Sequence, residues 1–237
     1  MRAQRPALDP ASRSDVRQLT MFGLAGVTAT PSLRRSPLRL TVRSRTRPQE
    51  AMATSRVTED SPVLIVPGLG GSGPGHWQSL WAASDPAFRR VAQRDWSNPN
   101  LAEWLEALDA HITACMAPPV LVAHSLACSL VAHWVGQHAR GVKAALLVCP
   151  SDVESPAHTP DKVRGFSPIP LVQFPFRSIV VASTTDPRVE LERARLFATS
   201  WGSRFVAVAG GGHMNESSGL GEWVQGKELL EELRRAA

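Results

Sequence analysis

The sequence lacks the means for a cysteine-built scaffold. Its three cysteines, Cys115, Cys128 and Cys149, stand in separate apolar segments, with neither metal-ligand spacing nor an even count. This excludes a disulfide framework and a cysteine zinc site, and reads as free buried thiols in a reducing compartment. Long apolar runs are missing too. The longest, Val63–Val66 and Ala144–Cys149, are strand-sized, far short of the roughly 18–20 residues a membrane helix needs. A cytoplasmic protein that stays out of the membrane is the expectation. Acidic residues are scarce in the first 58 positions, three against eleven arginines for a net +8. The remainder holds fifteen basic and eighteen acidic residues, a net −3. The overall charge of +5 therefore belongs to the amino-terminal stretch, and the rest has no electrostatic footprint for nucleic acid.

Residues 1–58 are rich in Arg, Ser, Thr, Pro and Ala and carry little apolar periodicity. The short apolar stretch Met21–Val27 has no tightly joined basic region, which argues against a secretory signal. The segment reads as a disordered tail, an organelle targeting segment, or upstream sequence preceding a start at Met52. A folded domain is expected over 59–237, with 43% hydrophobic and 20% charged residues overall, as in ordinary globular chains.

From Ser61 onward short apolar runs alternate with helix-length amphipathic stretches, the pattern of a mostly parallel sheet covered on both faces. Strands are expected at Pro62–Pro67, Phe88–Trp96, Pro119–Ala123, Val142–Cys149, Arg177–Ser183 and Arg204–Val208. Helices are expected at His76–Ala83, Leu101–Met116, Leu126–His138, Val189–Ser200 and Gly221–Arg235. In the second, Leu101, Trp104, Leu105, Leu108, Ile112 and Cys115 share one stripe. The proline-rich stretch Ser151–Phe176 has no period and reads as a loop or small cap.

Ligands of open α/β sheets bind beyond the carboxyl ends of the strands, and three residues of complementary chemistry fall there. Ser125 follows the third strand and opens a helix, where its hydroxyl would stand clear of the sheet on a sharp turn. Crowding at such a turn demands small residues two positions to either side. Here they are Ala123 and Ala127, which tolerate a positive φ less well than glycine. Asp186 follows the fifth strand, with Asp152 after the fourth as its rival, and either can also cap a turn. His213 lies in the glycine-rich loop after the sixth strand. His124 adjoins Ser125 but should point away from it, and His76, His111, His133, His138 and His158 fall on helices or in other loops. The order Ser, Asp, His along the chain is that of α/β-hydrolases. Glycines from Gly68 to Gly75 follow the first strand without a Gly-Lys-Ser/Thr ending or dinucleotide spacing. They suit an oxyanion hole in which the Leu69 N–H joins that of Leu126. No metal and no cofactor is expected.

Several stretches together carry a resemblance: Val66–Gly70, Gly75-His76-Trp77, Asp95-Trp96, Ala123–Leu126, Thr185-Asp186-Pro187 and Gly212–Trp223. With these the chain resembles the small α/β-hydrolases related to the retinoblastoma-binding serine hydrolase, a group with many bacterial members. The resemblance runs from Pro62 to about Gly226. It implies a three-layer α/β-hydrolase fold and a Ser–Asp–His triad at Ser125, Asp186 and His213, with Trp77 and Trp96 near a substrate pocket. Two departures stand out: the alanines at 123 and 127 in place of glycines, and Val224 where such proteins tend to have proline. The implied activity is hydrolysis of a small acyl substrate, ester or amide, through an acyl-enzyme. Transferase or lyase chemistry on the same triad is a lesser reading. The main competing reading is a protein-interaction module that kept the fold and lost turnover, with a protein partner of unspecified kind.

Overall fold

The computed structural model describes residues 61–138 and 141–235. The segment 1–58 and its boundary with the domain lie outside the described residues. Among the described residues six parallel strands form one sheet: β1 Val63–Val66, β2 Phe88–Arg90, β3 Val120–His124, β4 Ala144–Val148, β5 Arg177–Ser183 and β6 Arg204–Val208. Their spatial order is β2-β1-β3-β4-β5-β6. Register is set by apolar pairs such as Ile65 opposite Val122 and Leu146 opposite Ile179.

Because successive strand side chains point to opposite faces, the sheet feeds two cores. Leu64, Val66, Leu121, Ala123, Leu147 and Val180 face one side. There they meet helices α2 (Leu101–Thr113), α3 (Leu126–Gln137) and α4 (Leu191–Trp201). Val63, Ile65, Val122, Leu146 and Val181 face the other, covered by α1 (Trp77–Ser84) and α5 (Val224–Arg235). Burial on both faces explains why the central strands read as unbroken β-branched runs rather than as alternations.

The order of the strands reverses between β1 and β3. Loops leaving these two carboxyl ends diverge to opposite faces and open the crevice that α/β sheets use for ligands. The loop before α1 and the turn into α3 therefore border one site.

Two stretches end clearly earlier than expected. The second strand ends at Arg90 rather than Trp96; farther on, the Asp95 carboxylate accepts the N–H groups of Ser97 and Asn98 and folds the chain into a tight turn. Helix α2 stops at Thr113, three residues early. The Cys115 N–H bonds back to the Ile112 carbonyl, and Pro118 and Pro119 follow, which cannot extend a helix. The stretch Ser151–Phe176 contains a short 3-10 helix, Asp161–Phe166. It packs Val153, Val163, Phe166, Ile169 and Phe174 onto the core, and Arg164 ties it down through the carbonyls of Val153 and Thr159. It is a small cap.

Candidate active site

Ser125 is the first residue to place. It links β3 directly to α3, at φ 60° and ψ −124°, a conformation costly for any residue with a Cβ. Its N–H is held by the Val148 carbonyl of β4, and its own carbonyl accepts the first turn of α3. Ala123 and Ala127 are fully buried, and neither has a positive φ. The strain expected around them falls on Ser125 alone, so glycine at either position would relieve nothing. The residue that must lack a side chain is Gly68. A Cβ there would fall 2.7 Å from the His124 carbonyl oxygen, 2.9 Å from Ser125 Cβ and 3.1 Å from the Leu126 nitrogen. The loop after β1 can thus lie flat against the serine turn.

Asp186 and His213 arrive from the next two crossovers. Gly210 and Gly212 adopt positive φ, which glycine accepts freely, and their N–H groups bond the hydroxyls of Thr184 and Thr185. This folds the loop after β6 back over the loop after β5. His213 Nδ1 lies 2.8 and 3.0 Å from the two carboxylate oxygens of Asp186, and its Nε2 lies 2.8 Å from Ser125 Oγ. With Nδ1–H donating to the carboxylate, Nε2 is left as the acceptor of the serine hydroxyl. The Asp186 side chain is fully enclosed, and its Oδ1 also accepts the Arg188 N–H. Asp152 is elsewhere engaged: its carboxylate takes the Glu154 N–H and pairs with Arg193.

The backbone N–H groups of Leu69 and Leu126 have no protein acceptor among the described residues, and both residues line a cavity of about 160 Å³ that contains Ser125. The tryptophans sit apart from it. Trp77 is buried against Trp81, Trp223 and His124, and its indole N–H donates to the Met214 carbonyl, bracing the loop that carries His213. Trp96 props the glycine loop from behind. Its carbonyl accepts the Gly70 N–H, and a Cβ on Gly71 would come within 2.8 Å of its ring. Neither indole is among the residues lining that cavity; both hold loops that border it.

Two neighbours, Ser151 and Cys149, escaped the sequence reading. Ser151, just past β4, places its hydroxyl 2.9 Å from Ser125 Oγ. Because the Ser125 proton is committed to His213, Ser151 is the donor of that pair. Its position at a strand end was the available signal. The His124 Nε2–H donates to the His213 carbonyl. Cys149, also at positive φ, puts its sulfur, an Asp186 carboxylate oxygen and a His213 ring nitrogen within 4.8 Å of one another. Burial first, and then the Asp186 charge, push this thiol well above its usual range. It is a protonated thiol beside the acid, on the far side of the imidazole from the serine. Of the other cysteines, Cys128 is buried and Cys115 only half-buried, and all three are free.

His76, His124 and His213 form a row, with ring centroids 4.8 and 4.9 Å apart. Burial, with Arg90 and His213 as lesser causes, pulls His76 from 6.5 down to about 4. Burial likewise drives His124 well below its usual value. Both stay neutral in the folded state where the unfolded chain would already bind protons. Stability must therefore be lost as pH falls from 6.5 toward 4, since the unfolded state takes up more protons. We expect the melting temperature to be lower by about 5 °C at pH 5 than at pH 7.5. His76→Asn keeps a helix-capping acceptor and should flatten that slope; an equal slope in the variant would remove His76 from the account.

Comparison with known proteins decides the family. The sequence matches the serine hydrolase family over residues 63–232. The chain belongs to the serine hydrolase family. It is a hydrolase of the α/β-hydrolase fold. Among solved structures, this serine hydrolase is similar to a YdeN-like hydrolase from Pectobacterium atrosepticum, at 30% identity and a TM-score of 0.67, over 74% of this chain and 91% of that one. It is also similar to the ydeN gene product from B. subtilis (18% identity, TM-score 0.59, 73% and 98% covered). Est1E from Butyrivibrio proteoclasticus resembles it too (14%, 0.54, 74% and 89%). The last two likenesses concern the fold. No curated protein matches the sequence. Among the described residues, no helix is long and apolar enough to cross a membrane.

Proposed function

We propose that this serine hydrolase cleaves a small ester or amide through a covalent acyl-enzyme, with Ser125 as nucleophile, His213 as general base and acid, and Asp186 as the acid that orients it. The observation that carries the reading is the bridging imidazole, 2.8 Å from Ser125 Oγ on one side and 2.8 Å from Asp186 on the other. Ser125 Oγ attacks the acyl carbon as its proton passes to His213 Nε2, and Asp186 stabilises the imidazolium. The oxyanion is received by the free N–H groups of Leu69 and Leu126. His213 then gives its proton to the leaving alcohol or amine. A water molecule, deprotonated by the same nitrogen, releases the acid and restores Ser125. Free thiols fit action in a reducing compartment such as the cytoplasm.

A fluorophosphonate probe tests this on the purified protein. Labelling at Ser125, blocked by a short-chain ester, is the expected result. A folded protein that takes no label would favour the non-catalytic interaction module instead.

A further inference from the structure

Arg188 carries a charge that the chemistry above leaves unused. Its backbone N–H is pinned to Asp186 Oδ1 at 2.8 Å, which fixes the side chain's origin at the site. Arg188 lines the same cavity of about 160 Å³ as Ser125, Leu126, Thr159 and Val163. Of the five guanidinium N–H groups, one donates to the His158 carbonyl at 3.3 Å. No carboxylate pairs with it among the described residues, because the nearby acids are taken. Asp152 and Glu154 pair with Arg193, Glu190 with His158 and Asp186 with His213. The Thr159 hydroxyl is committed to the carbonyls of Asp152 and Ser155.

A cavity that starts at a nucleophile and is lined by an arginine with no carboxylate partner among the described residues suits a substrate with negative charge on the part held there. We propose that the acyl group carries a carboxylate bound by Arg188, so that the enzyme acts on half-esters or half-amides of short dicarboxylic acids. This rests on Ser125 being the nucleophile. Carboxylate and guanidinium match in a two-pronged, charge-assisted contact. The small volume suits a short chain rather than a fatty acyl group. Arg188 is exposed, so water and salt weaken the contact. The expected preference is about tenfold rather than thousands.

The test compares the mono-p-nitrophenyl ester of adipic acid with p-nitrophenyl hexanoate, which has the same chain length and no charge. The charged ester should be favoured in kcat/KM by about tenfold at low ionic strength, less at high salt. In Arg188→Gln the ratio should collapse toward one, and Arg188→Lys should restore part of it. A wild-type ratio near one, or a ratio unchanged in Arg188→Gln, would overturn the proposal. Arg188 also borders a wider cavity of about 640 Å³ beyond His213, so a second pair places the charge on the leaving group: para-acetoxybenzoate and its methyl ester. A preference confined to that pair would equally overturn the acyl assignment. Failure of the serine reading looks different: neither ester is hydrolysed and Ser125 takes no probe, and the proposal falls with it.

Discussion

Ser125→Gly should abolish turnover, by roughly 10⁴-fold or more in kcat, while leaving the protein as stable as before or more so. Removing the hydroxyl removes the attacking atom and leaves only oxyanion and binding contributions. The expected gain in stability comes from the backbone. At φ 60° and ψ −124° a residue with a Cβ is strained by about 1–3 kcal/mol, which glycine does not feel. Glycine's freer unfolded chain takes back about 0.5–1 kcal/mol. The net should be a melting temperature equal to the wild type or a few degrees higher. Ser125→Ala should lose as much activity but keep the strain, and so melt below the glycine variant. Kinetics with a short-chain ester and thermal melts of all three proteins provide the check. Retained turnover in either variant would remove Ser125 from the chemistry. A glycine variant that melts well below the alanine one would instead show that the turn is not strained.

The sheet and its crossovers were legible because both faces are covered, so each central strand shows as an apolar run between amphipathic helices. That Ser125, Asp186 and His213 come together was legible for a related reason. The parallel topology sends every β-to-α turn to one edge, and reactive side chains placed just past strand ends are thereby gathered. What sequence order could not give was the packing within that edge. The choice between Asp186 and Asp152 depends on where Arg193 reaches, and that arginine lies on α4. Ser151 meets Ser125 only because β3 and β4 are neighbours in register, with His124 opposite Val148. Trp77 and Trp96 carry no periodicity that separates a pocket wall from a scaffold, and the structure uses both indoles to hold loops. Past β2, Asp95 builds a turn with side-chain acceptors, which compete locally with strand structure, and the apolar pattern over Phe88–Trp96 carries no sign of it.

The acid can be separated from its rival by two isosteric changes. Asp186→Asn should leave the fold intact and cut kcat by roughly 10²–10⁴-fold. The carboxylate is fully enclosed, its two oxygens sit 2.8 and 3.0 Å from His213 Nδ1, and no other carboxylate pairs with that ring among the described residues. An asparagine amide also brings N–H donors. Turned toward the ring, they favour the tautomer whose Nε2 carries a proton and cannot accept one from Ser125. Asp152→Asn should cost less than about tenfold, since that side chain braces Arg193 and the Glu154 N–H and does not touch the imidazole. The fall in Asp186→Asn should appear in kcat more than in KM, because the lost contact matters most when the ring is charged in the transition state. Steady-state kinetics with a neutral short-chain ester, alongside circular dichroism of both variants, distinguishes the cases. A crippling Asp152→Asn with a mild Asp186→Asn would mean that the loop carrying His213 swings toward β4 when substrate binds. The acid would then have to be reassigned, while Ser125 and His213 kept their roles.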